Sequence, residues 1–249
     1  MPQNNLNLNR VVLITGASKR IGAAIANLLH AQQWNIILHY HHSTDAALNL
    51  VHSLNQQREN SAYAIQADLT NFDYYPELIT HAVQRWERLD ALVNNAATFF
   101  PTPIAAATTQ EWHTLFDTNV KSPFFLTQAA LPYLREHNGN IVNITDTHAD
   151  GRPLKQYSIY NMTKAALLMQ TQSLARDLAP NIRVNAVAPG VSIWEDTVTD
   201  LQQEILQRTP LKRAGTAEET AKAVRYLLED ATYTTGSVVY VDGGRCVFN

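Results

Sequence analysis

The chain has 249 residues, 45% hydrophobic and 16% charged, with a formal net charge of −3; it can bury one substantial core and lacks the basic excess of a nucleic-acid or membrane-surface binder. Residues 1–9 are polar with no signal-peptide core, no run is long enough to cross a bilayer, and the single cysteine, Cys246, excludes an intrachain disulfide framework. These features predict a cytoplasmic protein without metal, nucleic-acid or membrane partners.

Residues 11–14, Val-Val-Leu-Ile, read as a buried strand, and a helical pattern covers 20–31. Between them, Gly16, Ala17, Ser18, Lys19, Arg20, Ile21 and Gly22 form the turn where a dinucleotide pyrophosphate would meet helix N–H groups. Small residues there permit close backbone approach, and Gly22 permits tight helix–sheet packing. The second strand, 34–40, ends in Tyr40, His41, His42 and Ser43, with no acid before Asp45 to hold a ribose 2′-hydroxyl. Lys19, Arg20, the histidines and Ser43 suit a 2′-phosphate instead, so NADPH is predicted over NADH.

A helix over 44–58 and a strand over 62–66 follow, and then Asp68 and Leu69, where an acid can accept from an adenine amino group. Residues 76–87 read as helix and 89–93 as the fourth strand, ending in Asn94, Asn95 and Ala96. Small residues there admit a flat ligand, and the amides can lock neighbouring strands. One long helical pattern spans 109–136, the fifth strand covers 140–145, and a helix bearing Tyr160 and Lys164 runs to 178. The i, i+4 spacing puts these two side chains on one helix face, where a cation would lower the phenol pKa. Strands at 182–187 and 237–241 and a helix at 217–228 complete an α/β chain, predicted as one domain of about seven parallel strands, doubly wound with helices on both faces. The longest irregular stretch, 189–212, holds Trp194, Glu195, Asp196 and Pro210 and is expected to form a lid over the carboxyl ends of the strands.

Together these residues resemble the short-chain dehydrogenase/reductase family. The resemblance runs through the Gly-rich turn, Asp68, Asn94-Asn95-Ala96, Asn119, Tyr160/Lys164, Pro189-Gly190 and Val241-Asp242-Gly243-Gly244. Within it the chain is most similar to the pteridine reductases, through Lys19-Arg20, Leu38-His39-Tyr40-His41 with Ser43, Phe99 before Pro101-Thr102-Pro103, and Asp146. Arg20 stands where the wider family has the middle glycine of its turn, and Asp146 where it has a catalytic serine. Two departures separate the chain from the pteridine reductases: His42 replaces a frequent arginine, and Ala97 a frequent serine. Counting back from Tyr160 selects Thr147 as the catalytic partner, whereas the strand end selects Asp146; we take Asp146.

The resemblance implies hydride transfer from NADPH to a dihydropterin, with Tyr160 donating the proton or relaying it from Asp146. Lys164 would bind the nicotinamide ribose, and Asn119 would hold a helix kink and a water chain. Phe99 would stack on the pterin, Arg20 would touch both phosphate and pterin, and Pro189, Gly190 and Ser192 would border the nicotinamide. Tyr157 and Trp194 are further candidates for the substrate pocket. A homotetramer packed through the helices of 109–136 and 157–178 is expected. The alternatives are a general carbonyl reductase and a non-catalytic NADPH-binding regulator.

Overall fold

A strand that is apolar at every position must be covered on both faces, and β1 (Val11–Ile14) is buried along its whole length. In the computed structural model, which describes residues 9–191 and 200–247, β1 lies near the middle of a seven-stranded sheet of order β3-β2-β1-β4-β5-β6-β7. The other strands are β2 (Asn35–Tyr40), β3 (Ala62–Gln66), β4 (Ala91–Asn94), β5 (Asn140–Ile144), β6 (Arg183–Pro189) and β7 (Val238–Val241). Every neighbouring pair is parallel, from β2·β3 at one edge to β6·β7 at the other.

Successive strand residues point to opposite faces. Val12 and Ile14 of β1 therefore join a core with α1 (Arg20–Ala31), α2 (Thr44–Gln57) and α8 (Ala217–Glu229). Val11 and Leu13 join the opposite core with α3 (Tyr75–Gln84), α5 (Ser122–Glu136) and α6 (Ser158–Leu178). Among the described residues no helix is long and apolar enough to cross a membrane.

Three segments differ from their sequence reading. Residues 109–136 are not one helix: α4 (Thr109–Phe116) and α5 are joined by a π-helical turn, Asp117–Lys121. Pro123 opens α5, where a missing N–H costs nothing. The helix expected over 76–87 starts at Tyr75 and stops at Gln84; beyond it Glu87 takes a left-handed conformation, φ +51. Residues 189–212 are not wholly irregular, because they contain α7 (Asp200–Arg208). The lid residues Ser192, Trp194, Glu195 and Asp196 lie outside the described residues.

Buried amides tie β4, β5 and α6 together. Asn94 Nδ2 donates to Asn143 Oδ1 at 2.8 Å, and Asn143 Nδ2 donates to Thr171 Oγ1 at 2.9 Å. Asn143→Ala strands the Asn94 amide without solvent access, so urea unfolding should show a loss of about 1–3 kcal/mol.

Candidate active site

Strand order reverses at β1, which pairs with β2 on one side and β4 on the other, and in open α/β sheets ligands enter at the carboxyl ends beside such a reversal. Here the strand ends are knitted together. Thr15 Oγ1 accepts from the N–H of Asn95 at 2.9 Å and of Ala96 at 3.0 Å. Asn95 Nδ2 returns bonds to the carbonyls of Thr15 and Gly16, at 2.8 and 3.0 Å. The Gly16 N–H donates to His39 Nδ1 at 3.1 Å, so the imidazole proton sits on Nε2 and reaches the Ala67 carbonyl at 3.1 Å. Thr15 and His39 have no role in the sequence reading. A histidine inside an otherwise apolar strand was the available signal.

The turn between β1 and α1 passes through two left-handed residues, Gly16 at φ +60 and Arg20 at φ +54. For arginine that conformation costs about 1–2 kcal/mol, which accounts for a glycine being usual there. A Cβ at Gly22 would stand 2.5 Å from the Gly16 carbonyl oxygen and 2.7 Å from Asn95 Nδ2. The first turn of α1 contains no acid, and Lys19 at its N-cap makes no side-chain cap, so the helix end is open to an anion. It faces a cleft of about 610 Å³ bordered by Ser18, Lys19, Arg20, Ile21 and Ser43. Asn95, Ala96 and Gly190 close its other side.

Other predicted coenzyme residues are placed differently. The side chains of Tyr40 and Leu69 are buried in the two cores and do not face the cleft. Pro189 is the last residue of β6. His41 and His42 lie with ring centroids 3.5 Å apart and tilted by 32°, and His41 Nε2 is 3.9 Å from Asp68 Oδ2. Asp68 Oδ1 caps its own loop, accepting from Thr70 N–H and Oγ1 at 2.8 Å each, and the backbone bond chiefly holds its carboxyl below the usual range.

At the end of β5, Asp146 and Tyr160 meet: the phenol donates to Asp146 Oδ2 at 2.7 Å. Oδ1 of the same carboxylate accepts from His148 N–H at 2.8 Å and caps a 3₁₀ turn, Thr147–Ala149. Thr147 is turned away and donates to Asp242 Oδ2 at 3.0 Å. The geometry thus brings Asp146 rather than Thr147 to the phenol. The intervening loop turns through left-handed Gly151 and Gln156 before α6 begins. Above the pair lies Phe99, 56% exposed, stacked on Tyr157 at 4.6 Å and edge-on to Tyr160 at 4.7 Å.

Lys164 is buried, and its Nζ donates to the Ile144 carbonyl at 2.9 Å, 5.8 Å from the Tyr160 ring centroid. Burial lowers its pKa to about 8 although Asp146 pulls the other way. The expectation that Lys164 depresses the Tyr160 pKa is reversed here. Burial first, then the Asp146 charge and hydrogen bond, push the phenol upward and keep its proton on. Asn119, in the π turn, accepts from Thr98 N–H at 2.9 Å and donates to Thr98 O and Thr163 Oγ1. It grips the irregular segment after β4 that leads to Phe99 and the helix bearing Lys164, and does not itself reach the Asp146–Tyr160 pair through any of these bonds.

A family model described as enoyl-(acyl carrier protein) reductase matches residues 16–245. Pteridine reductase 1 of Leishmania tarentolae is 36% identical over 276 aligned residues, covering 94% of this chain and 95% of its own. The 3-oxoacyl-(acyl-carrier-protein) reductase FabG of Staphylococcus epidermidis is likewise 36% identical over 244 residues, covering 95% and 99%. FabG of Staphylococcus aureus is 36% identical over 246 residues, covering 96% and 99%.

The strand-end knot carries a pH dependence. Burial, partly offset by the Ala67 bond, lowers the His39 pKa from 6.5 to about 4. The unfolded chain takes up a proton near 6.5 that the folded one refuses, so this stability is full above about pH 6.5 and is lost as pH falls towards 4. The loss amounts to about 3 kcal/mol. Urea midpoints should fall across that window, and His39→Gln, which can keep both hydrogen bonds without titrating, should flatten the fall.

Proposed function

The chain belongs to the short-chain dehydrogenase/reductase family, and from that premise we propose that it is an NADPH-dependent pteridine reductase, converting a dihydropterin to a tetrahydropterin. The observation that carries the reading is the carboxylate–phenol bond between Asp146 and Tyr160 beside an exposed aromatic ring.

The cleft at the β1–α1 turn fits a dinucleotide. It combines an open helix N-terminus, a left-handed glycine and a position, Gly22, that tolerates no Cβ. Lys19, Arg20, His41, His42 and Ser43 would hold a 2′-phosphate, Asp68 the adenine, and Lys164 the nicotinamide ribose. The coenzyme supplies the hydride; the protein positions the ring and manages the proton.

Phe99 offers a face to a flat heteroaromatic ring, with Arg20 reaching across the cleft mouth. Tyr160, held protonated, donates to the ring nitrogen beside the carbon being reduced. Asp146 then restores the proton: once protonated from solvent, its O–H donates to the phenol oxygen, and the phenol O–H turns to the substrate. A carboxyl group serves here because it takes up and releases a proton within the pair. Its Oδ1 is fixed by the His148 N–H, which leaves Oδ2 for the exchange.

The equal identity of the FabG relatives favours a second reading, reduction of a ketone. That chemistry ordinarily sets a hydroxyl beside the tyrosine, and both chain neighbours of Asp146 that carry one are engaged elsewhere, Thr145 with the Val187 carbonyl and Thr147 with Asp242. Exposed Trp112, Phe124 and Phe125 on α4 and α5 support contacts in a homotetramer, which light scattering would measure.

Asp146→Asn and Tyr160→Phe should each lower kcat for dihydrobiopterin by about 100-fold or more with NADPH affinity retained; full rates in both would refute the proton route, and turnover of ketones alone would favour the second reading. Arg20→Gly should melt no lower than the native protein, since it relieves the left-handed strain, yet bind NADPH about tenfold more weakly. If the Lys164 ammonium is required, kcat/KM should hold below pH 8 and decline above it, following its lowered pKa of about 8.

A further inference from the structure

Beside the Asp146–Tyr160 pair lies a second cavity, of about 600 Å³, that no part of the proposed reaction uses. Thr147 and His148, the two residues after Asp146, form one wall, and the other contributors include Arg152, Arg208, Lys212 and Arg245. No acid lines it. Four cations around one cavity repel one another unless anions intervene.

The neighbouring carboxylates do not neutralise them. Arg208 pairs with Glu204 and is the one cation of the four in an ion pair among the described residues. Arg152 reaches only the Asp150 carbonyl, and Lys212 only the Gln207 carbonyl. Asp150 instead accepts from the Tyr240 hydroxyl at 3.1 Å. Asp242 is occupied by Thr147 and by the N–H groups of Gly244 and Cys246. Arg245 is half-buried; its guanidinium makes no hydrogen bond or ion pair among the described residues and feels the charges of both Asp146 and Asp242. A half-buried guanidinium with open donors, near the carboxylate of the reacting pair, is suited to an anion carried by the substrate.

We propose that this cavity receives an anionic tail, a string of carboxylates or phosphates, borne by the same molecule whose ring meets Asp146 and Tyr160. The inference rests on the reading of that pair as the reduction site, and it narrows the substrate class to pterins with a negatively charged substituent over those with a neutral one. The size suits such a tail, since pockets for small ligands span about 300–1,000 Å³. Arg152 and Lys212 hold the tail, and Arg245, which feels the Asp146 charge, links it to the reacting pair.

The test uses the full chain saturated with NADP, which keeps phosphate probes out of the coenzyme cleft. Calorimetry with p-aminobenzoyl-triglutamate and with tripolyphosphate should detect binding of at least one probe, the tighter one identifying a carboxylate or a phosphate tail. Arg152→Glu, and separately Lys212→Glu, should weaken that binding by about tenfold or more while circular dichroism and melting stay native. In turnover, the ratio of kcat/KM for dihydrofolate to that for dihydrobiopterin should fall by about the same factor. If neither probe binds, or both charge reversals leave affinity and ratio unmoved, the tail site is wrong even though pterins are reduced. If no pterin is reduced but probe binding is lost in both variants, the cavity stands as an anion site and the pteridine reading falls.

Discussion

A phenol buried against a carboxylate is the constraint around which this site is built. In water a tyrosine and an aspartate would ignore each other. Here α6 sinks Tyr160 to 5% exposure, and β5 delivers Asp146 to the same spot. Desolvation and the adjacent negative charge act in the same direction, so the phenol keeps its proton. The carboxylate is in turn held by a backbone N–H, and the buried Lys164 donates to the Ile144 carbonyl, with its Nζ 5.8 Å from the Tyr160 ring centroid. Its own charge is opposed by burial and favoured by Asp146. Tyr160 is therefore not a cation-activated tyrosine: its pKa is pushed up while that of Lys164 is lowered.

Around this unit the fold spends little on regularity. Arg20 occupies a backbone conformation that suits glycine, and the long helix before β5 is interrupted by a π turn. Both irregularities point side chains at the site: a guanidinium lining the cleft, and Asn119 onto the segment that leads to Phe99. Strain of this kind persists only where neighbouring structure over-determines it. The bonds joining Thr15, Asn95, Gly16, His39 and Ala67 do so by fixing four strand ends at once.

Charge is distributed with similar asymmetry. The net charge is near neutral, yet cations gather at the two clefts that flank the reacting pair, Lys19 and Arg20 on one side and Arg152, Lys212 and Arg245 on the other. Low-dielectric walls strengthen such fields locally. Two anionic groups, one at each cleft, would complement this arrangement.

The sheet was legible in the sequence because buried parallel strands need continuous apolar runs and helices need a 3.6-residue period, both local patterns. The glycine turn, Tyr160/Lys164 and Asp146 were legible for the same reason: their chemistry depends on short spacing or on a strand end. What the chain order could not decide was which distant groups share a surface. That Thr147 turns to Asp242, that Tyr40 and Leu69 turn inward, that His39 bridges Gly16 to Ala67, and that Arg152 and Arg245 line one cavity all follow from sheet order and loop conformation. Those depend on contacts between residues tens of positions apart, and so does the direction in which Tyr160 is shifted, because burial is a property of the packed molecule rather than of any segment.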